Sequence, residues 1–285
     1  MAGLRLGYHV SISGGVDRAV GRAVELGCDT FQIFTRNPRS WRSRELSDVE
    51  VEAFRAKRGE AGLSPVVGHM PYILNLASPE DEVYERSVAS LALGLERCSS
   101  LGLEFLVTHL GSHLGSGAEA GVGRVVAALD RVLGADGSGV VLLLENGAGS
   151  ANGVGSSFVE LGRILDAVGR PGRLGVCLDT CHTFVAGYDV RTPEALGGTL
   201  EAFDSAVGLG RIGVVHLNDS VWSLGSGRDH HEHIGLGEIG MDGFRAILGS
   251  PLASLPLIME TPLDDRREEG ENLRIVRGLA EASDV

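Results

Sequence analysis

Eight short apolar runs recur along the chain, and stretches with helical spacing of apolar residues separate them. The runs are Leu6–Val10, Thr30–Phe34, Val66–His69, Phe105–His109, Val140–Glu145, Gly175–Asp179, Gly213–Leu217 and Leu257–Glu260. They are nearly continuously apolar, as expected of parallel strands that are buried on both faces. Strand–helix alternation repeated eight times is typical of an α/β protein of the (β/α)8 TIM-barrel type, whose active site lies at the C-terminal ends of the strands.

A length of 285 residues suits one such barrel, and no linker or shift in composition divides the chain. We therefore predict a single domain over residues 1–285. The alternative is an open doubly wound sheet, which usually has a glycine-rich phosphate loop after its first strand. The run Ser13-Gly14-Gly15 is too weak a match for that loop, so the barrel is favoured.

Two of the intervening stretches indicate which helix face packs against the barrel. The first predicts one buried face from Val16, Ala19, Val20, Ala23 and Val24. The second does so from Val88, Leu91, Leu95 and Cys98. Helical stretches are followed by Gly27, Gly62 and Gly102, where a C-terminal cap needs a left-handed residue.

Six successive strands carry a potential metal ligand at or near the same end. These residues are His69, His109, Glu145, Asp179, His216 and Glu260. A single buried histidine is more often a satisfied core residue than a ligand. Converging buried carboxylates are harder to explain in that way, because they repel each other and are costly to bury without partners. The series therefore predicts a metal cluster at the barrel mouth.

The loops after the sixth and seventh strands extend this set. His182 follows Asp179 closely, and the segment RDHHEHI holds Asp229 and His231 two positions apart. In an extended loop these two side chains point to the same side, whereas His230 points away. His233 opens the next turn. We therefore expect Asp229 and His231 to be ligands, and His233 not to be one.

Five histidines and four carboxylates are too many donors for one ion, since zinc sites take about three or four protein ligands. With a bridging carboxylate they suit about three ions. The scarcity of thiolate favours zinc, with manganese or iron as alternatives. Cys177 and Cys181 flank the region, but Cys177 should lie deeper in the barrel, and the direction of Cys181 is not predicted.

The segment TRNPRSWRSR after the second strand combines arginines with a tryptophan. Its members are Arg36, Arg39, Trp41, Arg42 and Arg44. Such a loop beside the mouth suits phosphate contacts and stacking on bases, although a solvated basic loop is the simpler interpretation away from a site. Tyr72 is a second candidate wedge, and its alternative is ordinary packing under its loop.

The net charge of −13 argues against a nucleic-acid partner when it is taken alone. Net charge is a global sum, however, and bound cations are not counted in it. We therefore expect a basic crescent at the mouth of an otherwise negative molecule. The four cysteines form no CxxC pair, and no apolar run is long enough for a membrane span. Because the N-terminus also lacks a signal-like pattern, we expect a cytoplasmic protein with reduced cysteines. Nothing in the sequence suggests an obligate partner, so we expect a monomer.

The chain resembles the endonuclease IV family of metal-dependent apurinic/apyrimidinic endonucleases. Four long segments carry the resemblance, namely HMPYILNLASP at 69–79, LDTCHTFVAGYD at 178–189, HLNDS at 216–220 and HIGLGEIG at 233–240. Shorter matches are GYHVS at 7–11, THLGSH at 108–113, LEN at 144–146 and METP at 259–262. They occur in order from the first strand to the last, so the resemblance covers essentially the whole chain.

The resemblance implies a TIM barrel with a trinuclear zinc centre. It assigns His69 and His109 to one ion, which Glu145 bridges to a second ion. It assigns the second ion to Glu145, Asp179, His216 and Glu260, and the third to His182, Asp229 and His231. Glu145 and Glu260 are the expected catalytic residues, because Glu145 would bridge two ions and help to orient the nucleophile, and loss of the Glu260 carboxylate should remove most activity.

The implied activity is DNA base-excision repair on double-stranded DNA that contains an abasic site, which would bring the protein to the nucleoid. Hydrolysis 5′ to the lesion would leave a 3′-hydroxyl and a 5′-deoxyribose phosphate, and trimming of 3′ ends is a further implied activity. The expected DNA contacts are Arg36, Arg39, Trp41, Tyr72 and His230. The chain departs from the family pattern at His230, at Val221–Trp222 and at Gly147–Ala151. These departures concern the contacts with DNA and the strength of DNA binding, and they remove no expected metal ligand.

The strongest rival is a metal-dependent sugar isomerase or epimerase of the xylose-isomerase-like barrel type. Such an enzyme would use Glu145, Asp179, His216 and Glu260, and would leave the other five predicted ligands and the arginine loop unexplained. A non-catalytic metal-binding or DNA-binding module is a third class. An intact ligand set with an open coordination position argues against it.

Overall fold

Eight parallel strands build the barrel, each within two residues of its predicted ends. The structure, a computed structural model, describes residues 3–268 and 270–283. The strands are β1 (Leu6–Tyr8), β2 (Phe31–Phe34), β3 (Val66–His69), β4 (Phe105–Thr108), β5 (Val141–Glu145), β6 (Leu174–Asp179), β7 (Ile212–His216) and β8 (Leu257–Met259). The predicted (β/α)8 architecture is confirmed.

Closure of the sheet distinguishes this barrel from an open doubly wound sheet. Strands β2 to β8 pair in chain order, and β8 pairs with β1 in parallel. His9, directly after β1, forms a parallel bridge with Gln32 of β2, and the Val10 amide donates to the Gln32 carbonyl at 2.8 Å. These contacts join the first two strands, so the C-terminal ends of all eight strands face one mouth.

Helices cover the outside of the barrel between the strands. They are α1 (Val16–Glu25), α2 (Asp48–Ala61), α3 (Asp81–Leu101), α4 (Ala118–Ala135), α5 (Phe158–Val168), α6 (Thr180–Val185), α7 (Pro193–Ala206), α8 (Gly240–Leu248) and α9 (Glu271–Ser283). Short 3-10 turns span Leu209–Arg211 and Pro251–Ser254. Among the helices of the described residues, none has the length and apolar character that crossing a membrane requires.

The predicted helix faces and caps are confirmed with one exception. All four predicted residues of α3 are buried, and the prediction for α1 is correct except at Val24. Val24 is 51% exposed because it lies at the edge of the buried stripe. Gly62 and Gly102 end α2 and α3 with left-handed φ angles of 68° and 73°.

Apolar side chains fill both the space under the helices and the barrel interior. The interior layer consists of Val67, Val107, Leu143, Cys177, Val214 and Ile258. It lies below the mouth and closes the bottom of any site built there. The prediction that Cys177 lies deep in the barrel is confirmed by its place in this layer.

The loop after β7 contains a small hairpin that the sequence did not predict, in which Asp219–Ser220 pairs antiparallel with His231–Glu232. The buried Asp219 carboxylate organises the following HIGLGEIG turn. It accepts hydrogen bonds from the amides of Gly235, Gly237 and Ile239 at 2.8, 3.0 and 3.0 Å. The turn directly follows the hairpin, in which His231 pairs with Ser220.

Gly237→Ala should destabilise the fold by about 1–3 kcal/mol, because there is no room for the Cβ atom that alanine adds at this position. The added atom would lie 2.3 Å from the Ser220 carbonyl oxygen and 2.6 Å from Asp219 Oδ1. Denaturant unfolding followed by circular dichroism measures the change. The control is Gly123→Ala in α4, where the Cβ meets nothing within 4 Å and alanine should stabilise the helix slightly. Equal unfolding midpoints for both variants would contradict the role of the turn.

Candidate metal centre and nucleic-acid interface

The strand ends deliver six of the nine predicted ligands to the mouth. His69, Glu145, Asp179 and His216 are the last residues of β3, β5, β6 and β7, and His109 and Glu260 directly follow β4 and β8. Because neighbouring parallel strands end at the same level, these side chains converge. Glu145 lies at their centre, with Oε2 3.0 Å from His69 Nε2 and 3.3 Å from His109 Nε2.

The other three ligands come from two loops. Helix α6 starts directly after Asp179, whose Oδ1 caps the helix by accepting the His182 amide at 2.7 Å. This cap places the His182 side chain over the mouth, with Nε2 3.1 Å from Asp229 Oδ1. His231, held in the hairpin, brings its Nε2 to 3.5 Å from the same oxygen. Asp229 and His231 thus point to the same side.

The donor atoms form overlapping groups, each compact enough for one ion. In each group the donor atoms lie within 4.8 Å of one another. The groups are His69–Glu145–His216, Glu145–Asp179–His216–Glu260, His182–Asp229–His231 and Asp179–Cys181–His231. His109 stands outside these groups, although its Nε2 lies 3.3 Å from Glu145 Oε2. Eight of the nine predicted ligands thus fall into groups that could hold metal.

Backbone carbonyls set the tautomers of three of these histidines. His69 Nδ1 lies 2.6 Å from the Met70 oxygen, His182 Nδ1 lies 3.0 Å from the Asn146 oxygen, and His231 Nδ1 lies 3.2 Å from the Glu260 oxygen. A carbonyl oxygen only accepts, so each Nδ1 holds the proton and each Nε2 directs a lone pair inward. This arrangement is the one that metal-binding histidines use.

The histidine and carboxylate atoms that face the pocket are better placed to bind a cation than to bond with one another. Within the described residues, the buried Nε2 atoms of His182 and His231 make no hydrogen bond, although Asp229 Oδ1 is close to both. Lone pairs of histidine and carboxylate repel when they face each other in a buried pocket. The donor set therefore fits metal ions.

The charges of the pocket agree with this fit. Burial alone would raise the pKa of Glu145, but His109 and His216 hold it well below its usual value. Burial likewise opposes ionisation of Glu260, whose pKa His216 and His9 hold well below its usual value. Burial disfavours charge on His182, yet Asp179 and Asp229 raise its pKa to about 10. The anionic pocket attracts positive charge, which protons or metal ions supply.

The two cysteines near the centre have different surroundings. Burial raises the pKa of the interior Cys177 to about 12. Cys181 lies closer to the ligands, because its Sγ belongs to the group with Asp179 and His231 and donates to the His230 carbonyl at 3.8 Å. Burial raises the pKa of Cys181 as well, which keeps the thiol protonated.

His233 is satisfied without metal, as predicted. Its Nε2 lies 3.1 Å from Asp264 Oδ1, and its Nδ1 lies 3.0 Å from Asn272 Nδ2. Both ring nitrogens therefore have hydrogen-bonding partners, one in the loop after β8 and one in α9. Neither nitrogen is available to an ion.

The arginines of the loop after β2 differ in accessibility. Arg36, predicted to contact DNA, is only 4% exposed, and it donates to the Ser40 and Trp41 carbonyls and to Ser90 Oγ. The prediction of a direct contact is corrected here, because these bonds make Arg36 the anchor of the loop. Arg44 is engaged with Glu50. Arg39 and Arg42 are exposed, and their guanidinium groups have no partner in the described residues.

The other predicted DNA contacts lie on the same face. Tyr72 is 60% exposed in the loop after β3, with its ring centroid 6.4 Å from that of Phe34. Trp41 is half-buried, and the Arg86 guanidinium carbon lies 5.0 Å from its ring centroid. His230 is exposed in the loop after β7.

Sequence reasoning missed three polar residues that support the ligands. Asn218 donates to Asp179 Oδ2 at 2.8 Å and accepts the Glu260 amide at 2.8 Å. His9 and Gln32 contact Glu260 Oε1 at 3.0 and 2.8 Å. Two signals could have identified two of them, since His9 directly follows its strand as His109 does and Gln32 is the polar residue of an otherwise apolar run.

Comparison with known proteins gives a consistent family. A family model described as xylose isomerase-like TIM barrel matches residues 20–280. A protein described as probable endonuclease 4 from Methanoculleus marisnigri is 56% identical over 279 residues, covering 97% of this chain and 99% of that protein. A second one, from Cenarchaeum symbiosum, is 48% identical and covers 97% and 100%.

Solved structures agree with the sequence relatives. The crystal structure of endonuclease IV from Thermus thermophilus superposes with a TM-score of 0.85 at 46% identity, covering 98% of this chain and 99% of that one. A D-tagatose 3-epimerase-like protein has a TM-score of 0.73 at 20% identity with 98% coverage of both chains, a likeness of fold alone. The chain thus belongs to the endonuclease IV family of xylose isomerase-like TIM barrels.

Proposed function

We propose that this protein is a DNA-repair apurinic/apyrimidinic endonuclease that hydrolyses the phosphodiester 5′ to an abasic site. The observation that carries the proposal is the convergence of five histidines and four carboxylates at the barrel mouth, beside an arginine loop. A sugar epimerase would need only the group around Glu145, Asp179, His216 and Glu260. The third group, His182–Asp229–His231, favours a multinuclear hydrolase.

We assign about three zinc ions to the nine donors, with manganese or iron as substitutes that the ligands would also accept. The first would be held by His69, His109 and Glu145, the second by Glu145, Asp179, His216 and Glu260, and the third by His182, Asp229 and His231. Bound zinc would supply a water of lowered pKa and a positive counterpart for the charge on the phosphate.

The protein residues would organise the hydrolysis around that phosphate. The P–O3′ bond breaks as a water oxygen adds to phosphorus, so the products are a 3′-hydroxyl and a 5′-deoxyribose phosphate. Glu145 would bridge two ions and help to orient the attacking water, and Glu260 would help to hold the second ion. The side chains of His109 and Asp229 are 36% and 54% exposed, so the substrate would enter on their side. The buried remainder would exclude bulk water.

The contacts with double-stranded DNA would come from the loops on the face that carries the candidate ligands. Arg39 would contact phosphates, as would His230 more weakly, and Tyr72 and Trp41 would stack on or wedge between bases at the lesion. Arg36 would act only by holding its loop. Because chromosomal DNA is the substrate, we expect a cytoplasmic, nucleoid-associated enzyme that acts as a monomer in a single domain over residues 1–285.

Tyr72→Ala should weaken binding of an abasic duplex by about five-fold or more, because a base-stacking ring contributes about 1–3 kcal/mol. Fluorescence anisotropy with the metal-loaded protein and a labelled duplex measures the dissociation constant. Val159→Ala is the control, since Val159 is equally prominent at 63% exposed but lies on α5, outside the mouth. Unchanged affinity of the Tyr72 variant would remove Tyr72 from the interface.

The proposed function is tested by offering the zinc-loaded protein three substrates. They are a duplex with one tetrahydrofuran abasic analogue, the same duplex undamaged, and a panel of ketoses. We expect nicking of the first duplex alone, and loss of nicking after a chelator removes the metal. Epimerisation of a ketose without nicking would overturn the proposal in favour of the sugar-enzyme alternative.

A further inference from the structure

Gln32 lies on β2, directly beneath the candidate metal centre, and is completely buried. It is not one of the nine candidate ligands, and a polar side chain in the barrel interior is costly unless it is fully bonded. We infer that Gln32 is a positioning residue that fixes the tautomer of His216 and the orientation of Glu260 for metal binding. This inference rests on the metal centre of the proposed function.

His216 is oriented differently from the other bonded histidines. Its Nε2 lies 2.9 Å from Gln32 Oε1, while its Nδ1 lies 3.1 Å from Glu145 Oε1 and 3.3 Å from Glu260 Oε2. An amide oxygen only accepts, so Nε2 holds the proton. The Nδ1 lone pair is thereby left for a metal ion, opposite to the Nε2 lone pairs of His69, His182 and His231.

The second contact of Gln32 fixes which way its amide points. Gln32 Nε2 donates to Glu260 Oε1 at 2.8 Å and lies 2.9 Å from His9 Nδ1. The reversed amide would place its oxygen against a carboxylate that can only accept, so it is disfavoured. Gln32 therefore links His216 and Glu260 in one defined geometry. It holds Glu260 Oε1 and leaves Oε2 directed at the ligand cluster.

Dependence on a side chain makes His216 vulnerable to a single substitution. The tautomers of His69, His182 and His231 are set by backbone carbonyls, which no substitution removes. Replacing Gln32 frees the His216 ring to place its proton on either nitrogen. Loss of such a partner to a ligating histidine typically costs about ten- to a hundred-fold in metal affinity.

The test is Gln32→Met, which keeps an unbranched side chain of similar size and removes both hydrogen-bonding ends. Zinc affinity is measured by competition with a fluorescent chelator, and metal-free stability by denaturant unfolding. We expect zinc affinity to fall by about ten- to a hundred-fold. The control is Thr30→Val, which removes a buried hydroxyl that donates to the Pro65 carbonyl at 2.5 Å, just before β2 and away from the centre. This variant should lose stability and keep its zinc affinity.

A measurement on the unaltered protein covers the case in which Gln32→Met does not fold. Nitrogen-15 spectra of the zinc-loaded protein report which ring nitrogen of each histidine carries hydrogen, and His216→Asn identifies the His216 signals. We expect hydrogen on Nε2 of His216 and on Nδ1 of His69. Hydrogen on Nδ1 of His216, or a zinc affinity of Gln32→Met within about two-fold of the parent, would overturn the inference. If the parent binds no zinc, the proposed function itself fails.

Discussion

Glu260→Gln is expected to lower kcat/KM on an abasic duplex by about a thousand-fold, while the barrel stays folded. Glu260 Oε1 accepts hydrogen bonds from Gln32 and His9, so the carbonyl end of a glutamine must take that position. The amide NH2 group then replaces Oε2, the oxygen that lies 3.3 Å from His216 Nδ1. A donor stands where a ligand is needed, with no change in side-chain volume.

Zinc-saturated Glu260→Gln and the parent should be compared in steady-state cleavage of the same duplex, with circular dichroism as the check on folding. Glu238→Gln is the matched control, because Glu238 is an exposed carboxylate in the loop after β7, outside the ligand groups. We expect the control to retain full activity. Near-normal turnover of Glu260→Gln at full metal content would remove Glu260 from the catalytic set.

Glu145→Gln is expected to lower the metal content from about three ions per chain to about one. Glu145 is the shared carboxylate, with Oε2 3.0 Å from His69 Nε2 and Oε1 3.1 Å from His216 Nδ1. A neutral amide cannot bridge two cations, so both ions that share it are weakened. The group His182–Asp229–His231 does not include Glu145 and should keep its ion.

Metal content per chain is measured by inductively coupled plasma mass spectrometry after dialysis against a weak chelator. Glu96→Gln, an exposed carboxylate on α3, is the control and should keep the parental content. Loss of all ions from Glu145→Gln would indicate one cooperative cluster. A content equal to that of the parent would contradict the bridging role of Glu145.

The barrel could be predicted from the sequence because its strands are buried on both faces. A run such as Val66–His69 is apolar without interruption until the residue that reaches the mouth, so the strand and its functional end are visible together. Some observed strands end one or two residues away from the predicted position. At Val10, for example, hydrogen bonding continues past the last regular strand residue. Val24 was misplaced because helical spacing alone does not fix the width of the buried stripe.

The site was predicted less completely, since its supporting contacts depend on the third dimension. The sequence indicated the ligands as polar residues that end apolar strands, but it did not reveal that Asp179 caps α6 to place His182. It also assigned Arg36 to DNA, because an arginine in a basic loop gives no sign that it folds inward onto carbonyls. Gln32 was passed over because one amide inside a strand has no motif around it.

If this chain hydrolyses DNA on the 5′ side of an abasic site, the chemistry of the product ends will show it. A duplex with one natural abasic site, labelled on the damaged strand, is incubated with the zinc-loaded protein and with a chelator-treated sample. This activity predicts a 3′-hydroxyl that a DNA polymerase extends and a 5′-deoxyribose phosphate, both only with metal. Cleavage on the 3′ side to an unsaturated aldehyde, or equal cleavage of undamaged DNA, would contradict it.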